Sequence, residues 1–233
     1  MEKRNQINFA TTGGLLIFFI LYTIALMYID VKPIGPRGSS VGFAAINEPV
    51  KHLLDVNMFL YNITDWLGLV AILVALGFAV LGLVQLIKRK SLFRVDSSIL
   101  ILGGFYLLVM AAYLFFEYNI VNYRPVLINN VLEASYPSST TMLVMCVMPT
   151  AMIQFHRLIQ NKTVRIAINT LFGVFTVTMI IGRMLSGVHW LTDILGGVLL
   201  SSMLFMLFYS VNQYVESKQS QQLDNSVKDQ SSP

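Results

Sequence analysis

Apolar residues in this chain are gathered into long runs rather than spaced along one face of a strand or helix. The runs cover residues 9–29, 66–87, 97–116, 138–155, 166–185 and 190–209. About 20 consecutive apolar residues carry a helix across the hydrocarbon layer of a membrane. In lipid every backbone N–H and C=O must find an internal partner, which favours helices as spanning elements. The pattern therefore predicts an all-α, polytopic membrane protein: six transmembrane helices in one bundle. The first run is too long for the apolar part of a signal peptide, and no small-residue cleavage site follows it cleanly, so it is expected to be retained.

The segments between the runs are polar. Residues 30–62 carry Pro33, Gly35, Pro36 and Gly38 and predict a loop. A short amphipathic helix over 48–60 is expected within it, at the interface. Residues 117–137 form a second polar segment. Beyond Asn212 the chain is rich in Gln and Ser, the composition of a disordered tail. The expected organisation is a membrane domain over 1–211 and a polar cytoplasmic tail over 212–233.

Composition agrees with this reading. The chain is 55% hydrophobic and 12% charged, about half the charged fraction of a soluble domain. The net charge of +4 does not point to nucleic acid, because the basic residues flank the runs. With six alternating spans, Lys3, Arg4, Lys88, Arg89, Lys90, Arg94, Arg157, Lys162, Arg165, Lys218 and Lys228 share one side, eleven of the sixteen. Lysine and arginine concentrate on the cytoplasmic side, so both termini are expected inside. The short loops suggest a bacterial plasma membrane. The single cysteine, Cys146, lies in an apolar run and reads as a buried thiol.

This topology brings three polar clusters to the outer face: Arg124-Pro125; Pro137-Ser138-Ser139-Thr140; and Gly182-Arg183 followed by His189 and Asp193. Ionisable groups at membrane depth are costly and mark function. His189 and Asp193 are four apart and share a face if a helix begins near His189. A carboxylate there would fix the imidazole tautomer and leave the other ring nitrogen free to attack. Arg124 and Arg183 can each grip phosphate oxygens with two donors. Ser138, Ser139 and Thr140 put hydroxyls and free N–H groups at a helix N-terminus, which favours an anion. Singly, each has a plain alternative: a headgroup anchor, a helix cap, a local hydrogen bond. Together they suggest phosphoryl transfer. No cluster has the spacing of a zinc or magnesium site, so neither metal nor cofactor is expected.

These clusters, in their order and spacing, resemble the type-2 phosphatidic acid phosphatase superfamily. Its membrane members have six spans and act on lipid phosphates or isoprenoid diphosphates. Its pattern is a Lys, six residues and Arg-Pro; then Pro-Ser-Gly-His; then Ser-Arg, five residues, His, three residues, Asp. Arg124, Pro125, Pro137, Ser138, Arg183, His189 and Asp193 match it. The resemblance implies that His189 attacks phosphorus to form a phosphohistidine and that Asp193 orients it. It also implies that Arg124 and Arg183 bind the phosphoryl oxygens with help from Ser138, and that the partner is a membrane lipid substrate.

Four positions depart from the pattern. Glu117 stands for the Lys, Ser139 for the Gly, Thr140 for the His that protonates the leaving group, and Gly182 for the Ser. Glu117 reverses the charge at a phosphate-binding position. Thr140 has no proton to give near neutral pH, and loss of a general acid typically costs about 10²–10⁴ in rate. His52 in the outer loop is a candidate replacement on topology, and water is another. An isoprenoid diphosphate expels a phosphate ester, which needs less protonation than an alkoxide, so such a substrate, for example undecaprenyl diphosphate, suits Thr140. The alternative is a protein that binds or transports a lipid phosphate without cleaving it.

Overall fold

The computed structural model describes residues 2–231. Seven α-helices follow one another: α1 Glu2–Tyr28, α2 Ala44–Leu53, α3 Met58–Arg89, α4 Ser97–Tyr118, α5 Ser139–Leu158, α6 Lys162–Leu185 and α7 Leu191–Ser231. Five of them, α1, α3, α4, α6 and α7, are long and apolar enough to cross a membrane. Ile17, Leu73, Leu107, Leu171 and Val177 on these helices are exposed. On a membrane helix such residues meet lipid tails, so their exposure costs nothing. The chain is a multi-pass helical membrane protein.

The remaining long helix, α5, is of a different kind. It packs against α3, α4, α6 and α7. Its buried side chains include Thr140, Thr141, Thr150 and Gln154 beside Val144, Val147 and Met148. Surrounded by protein rather than lipid, α5 can carry polar groups that find partners. Gln154 accepts from Ser98 Oγ of α4 at 3.1 Å, and Thr150 pairs with Tyr106 of α4 at 3.1 Å. Aromatic contacts close the apolar core around it, Phe105 on Phe208 and Phe78 on Phe155, each with centroids 5.2 Å apart.

Three elements differ from the sequence reading. The interfacial helix runs over Ala44–Leu53 and not to residue 60. Asn57 ends the connection by accepting from the Leu60 N–H at 3.0 Å, the usual role of Asn at an N-cap. As a result α3 begins eight residues before residue 66, and this extra length reaches the site described below. Finally, α7 continues as a helix where polar composition predicts a disordered tail from residue 212. Over residues 212–217 it has a partner: Asn212 and Ser217 are buried, and Arg4 and Asn5 of α1 bond Gln213 and Ser217.

The basic turns at Lys88–Lys90 and at Lys162 lie at the end of the bundle holding the start of α1 and the later part of α7, where Arg157 pairs with Glu216. The other end gathers the start of α3, the end of α4, the start of α5, the end of α6 and the start of α7. From α2, Asn47 ties this end together. Its Nδ2 donates to Thr192 Oγ1 at 2.9 Å, and its Oδ1 accepts from the Thr192 N–H at 3.3 Å.

Candidate active site

His189 lies in the turn between α6 and α7, and α7 begins two residues later. The turn needs Gly187, which has φ +66°; a Cβ there would sit 2.8 Å from the Asp55 carbonyl. Only glycine takes that backbone shape so close to another chain segment. The turn delivers a buried imidazole flanked by two guanidiniums. Nη2 of Arg183 is 2.9 Å and Nη1 of Arg124 is 3.3 Å from His189 Nε2. Arg183 arrives from the last turn of α6 and is 1% exposed. Arg124 arrives from the polar segment after α4.

The segment carrying Arg124 folds back on itself. Arg124 N–H donates to the Glu133 carbonyl at 3.0 Å, and Ser135 N–H to the Asn122 carbonyl at 2.9 Å. Trp190 Nε1 fastens it to the α6–α7 turn by donating to the Tyr123 carbonyl at 2.7 Å. The fold-back sets Asn122 and Ser135 side by side, and both reach Asp193. Asn122 Nδ2 donates to Asp193 Oδ1 at 3.1 Å, and Ser135 Oγ donates to Oδ2 at 2.5 Å. Oδ2 also accepts from the Trp190 N–H at 3.1 Å. The pairing of His189 with Asp193 suggested by their spacing is therefore indirect. His189 precedes the helix, so the four-residue rule does not bring the two together. Ser135 lies between them, its Oγ 2.9 Å from His189 Nδ1.

The lengthened α3 supplies the floor under the arginines. The Tyr61 ring lies 4.9 Å from the Arg183 guanidinium and 5.7 Å from that of Arg124, within range of cation–π attraction. Thr64 Oγ1 accepts from Arg183 Nη1 at 3.4 Å, and Asp65 approaches the same nitrogen at 3.7 Å. Arg183 Nε is buried without a hydrogen-bond partner among the described residues. The two arginines thus share one ring, have a carboxylate neighbour each, and keep donors to spare for an anion.

The other positions singled out in the sequence divide around a cavity of about 250 Å³ whose wall includes Tyr113, Glu117, Arg124, Glu133, Ser139 and His189. Glu117 is on that wall and exposed. The carboxylate beside Arg124 is instead Glu133, with Oε2 3.1 Å from Arg124 Nε. This is an ion pair without hydrogen-bond alignment, since Nε lacks a hydrogen-bond partner. Ser138 is fully buried, with its N–H donated to the Asp193 carbonyl and its hydroxyl paired with Thr141, both at 3.0 Å. Thr140 turns towards α3, where Gly68 leaves room for its methyl group. His52 is exposed on α2 and is not part of the cavity wall. Burial first, and then Arg124 and Arg183, holds the His189 pKa well below the usual histidine value. Both effects favour the neutral imidazole, and Nε2, facing two donors, carries a lone pair.

Tyr61, Thr64, Asp65, Asn122, Glu133 and Ser135 were not among the residues expected from sequence. The one available signal was polarity: all lie in or beside polar stretches that border the motifs.

No curated protein sequence matches the chain. Among solved structures, the chain is similar to one titled "Crystal structure of the first transmembrane PAP2 type phosphatidylglycerolphosphate phosphatase from Bacillus subtilis". The TM-score is 0.56 at 22% identity, over 88% of this chain and 96% of that one; at such identity the likeness concerns the fold. The family model described as "PAP2 superfamily" matches residues 74–217, which include both arginines, Ser135, His189 and Asp193. By that match the chain belongs to the PAP2 superfamily.

Proposed function

We propose that this protein is a membrane lipid phosphatase that hydrolyses a lipid phosphate or isoprenoid diphosphate at the outer face of the plasma membrane. The reading is carried by one observation: His189 Nε2 faces both guanidiniums, at 2.9 and 3.3 Å. A phosphoryl group drawn to Arg124 and Arg183 would meet a neutral imidazole nitrogen at attacking distance. Nε2 bonds to phosphorus as the bond to the leaving oxygen breaks. That oxygen keeps the electron pair and takes a proton from water. A second water then attacks the phosphohistidine, the P–N bond breaks, and inorganic phosphate departs. The net change is one water consumed for one ester or anhydride bond cleaved. Arg124 and Arg183 stabilise the charge on the equatorial oxygens in both steps.

The position of Thr140 favours a diphosphate, whose leaving phosphate ester needs no strong acid. The same position, with Glu117 and Glu133 on the cavity wall, favours the second reading, a protein that holds a lipid phosphate without cleaving it. The test is phosphate release by full-length protein in liposomes, offered undecaprenyl diphosphate and dioleoyl phosphatidic acid separately. Release from the diphosphate that is lost in His189→Ala is expected. Binding without release supports the second reading, and release that survives His189→Ala removes His189 as nucleophile.

A further inference from the structure

The nucleophile and the carboxylate of the proposed reaction are joined through a third residue. His189 Nδ1 is 2.9 Å from Ser135 Oγ, and Ser135 Oγ is 2.5 Å from Asp193 Oδ2. Ser135 is 3% exposed and Asp193 is fully buried, so water does not compete readily for these bonds. The direction of each bond follows from the donors available. Guanidinium nitrogens only donate. Nε2 faces two of them and therefore carries no proton. The proton of the neutral ring is then on Nδ1, which donates to Ser135 Oγ. The serine hydroxyl has one proton, and it goes to Asp193. Each of the two protons, on Nδ1 and on the serine hydroxyl, then has one acceptor, and no two donors face each other.

We propose that Ser135 is a positioning residue: it fixes the Nδ1–H tautomer of His189 and passes the negative charge of Asp193 to the ring. The proposal rests on His189 as nucleophile. When Nε2 bonds to phosphorus the ring becomes cationic and keeps its Nδ1 proton. The Ser135 oxygen, polarised by Asp193, then accepts a stronger hydrogen bond. No proton changes place along the chain. Asn122 and the Trp190 N–H hold the carboxylate so that Oδ2 points at the serine. The fold-back of the segment after α4 thus serves Asp193 and His189 together. A direct histidine–carboxylate pair would need no serine and would leave residue 135 free to be alanine.

The tautomer can be read without turnover. Full-length protein with ¹⁵N-labelled imidazoles, in lipid nanodiscs, has three histidine signals to resolve. The His189 signal is the one lost in His189→Gln. The wild type is expected to show Nδ1 protonated and Nε2 bare. Ser135→Ala is expected to show mixed tautomers and a kcat for undecaprenyl diphosphate about 10- to 100-fold lower, with KM little changed. Ser135→Thr, which keeps the hydroxyl, should recover most of the rate and the single tautomer. An Nε2–H tautomer in the wild type overturns the proposal, and so does wild-type kcat in Ser135→Ala. If His189→Ala remains active, the nucleophile assignment fails instead, whatever the tautomer. If nothing is released at all, the wild-type tautomer still decides the role of Ser135.

Discussion

Nη2 of Arg183 lies 2.9 Å from Nε2 of His189, six residues further along the chain. The end of α6 and the turn after it thus place a fixed cation against the nitrogen proposed as the nucleophile. The guanidinium is held from several directions, by Thr64, Asp65 and the Tyr61 ring. A lysine would bring the charge but not the planar fork. Arg183→Lys is expected to lower kcat/KM for phosphate release about 100-fold. Steady-state assays in liposomes measure it, and a loss under threefold would show that the fork is unnecessary.

His189 sets the acid limb of the pH profile. Its pKa is well below the usual value, through burial, then Arg124, then Arg183, with Ser135 acting in the opposite direction. In the proposed mechanism the neutral ring is the active form, so a lowered pKa extends activity further into acid. The acid limb of the kcat/KM profile should therefore lie below about pH 6.5, where an ordinary histidine is half protonated. Arg124→Gln removes a neighbouring positive charge, which raises the histidine pKa, so its acid limb should move upward. Profiles of wild type and variant with undecaprenyl diphosphate check both statements. A wild-type limb centred near 6.5 would contradict the first.

Gly182, where the family pattern has serine, sits against Thr64. A Cβ on Gly182 would sit 2.7 Å from Thr64 Cγ2. Gly182→Ser is therefore expected to destabilise the protein by about 1–3 kcal/mol and to disturb Arg183. Adding Thr64→Ser removes the methyl group and keeps the hydroxyl that meets Arg183. The double variant should recover most of the lost melting temperature, a coupling of about 1 kcal/mol or more. Purely additive effects would place the cause elsewhere.

Glu133 is placed to compete with an anionic substrate for Arg124, on the proposed reading of the site. Its carboxylate is 38% exposed and 3.1 Å from Arg124 Nε. Glu133→Gln leaves the arginine unpaired on that side. KM for an anionic substrate should fall about three- to fivefold, since partly exposed pairs are worth up to ~1 kcal/mol. The gain should shrink at high salt. An unchanged or higher KM would mean that Glu133 orders Arg124 rather than blocking it.

The membrane fold was legible because lipid demands unbroken apolar runs, and α1, α3, α4, α6 and α7 obey. That Arg124, Arg183, His189 and Asp193 gather at one end of the bundle was legible from the alternation of spans and the motif spacing. The contact between His189 and Asp193 was misjudged, since a helical rule was applied to a residue that sits before its helix. Ser135, Asn122 and Glu133 reach the site through a fold-back whose pairing is set by backbone bonds between residues 122 and 135. Hydropathy does not encode such bonds. Tyr61, Thr64 and Asp65 belong to the part of α3 that polarity assigned to a loop. The later part of α7 was misread because composition alone does not register the buried partners that α1 offers it.

The buried polar face of α5 has a consequence for how the protein is made. Lipid alone has little reason to retain a segment carrying Thr140, Thr141, Thr150 and Gln154 on one helix. Its proper solvent is α3, α4, α6 and α7, and the last two emerge from the ribosome after it. The burial of α5 is therefore complete only once α6 and α7 have joined, and a chain cut short before α7 should hold α5 in the bilayer less well. The helix that begins beside the candidate site is thus the one that relies most on the rest of the chain for its surroundings.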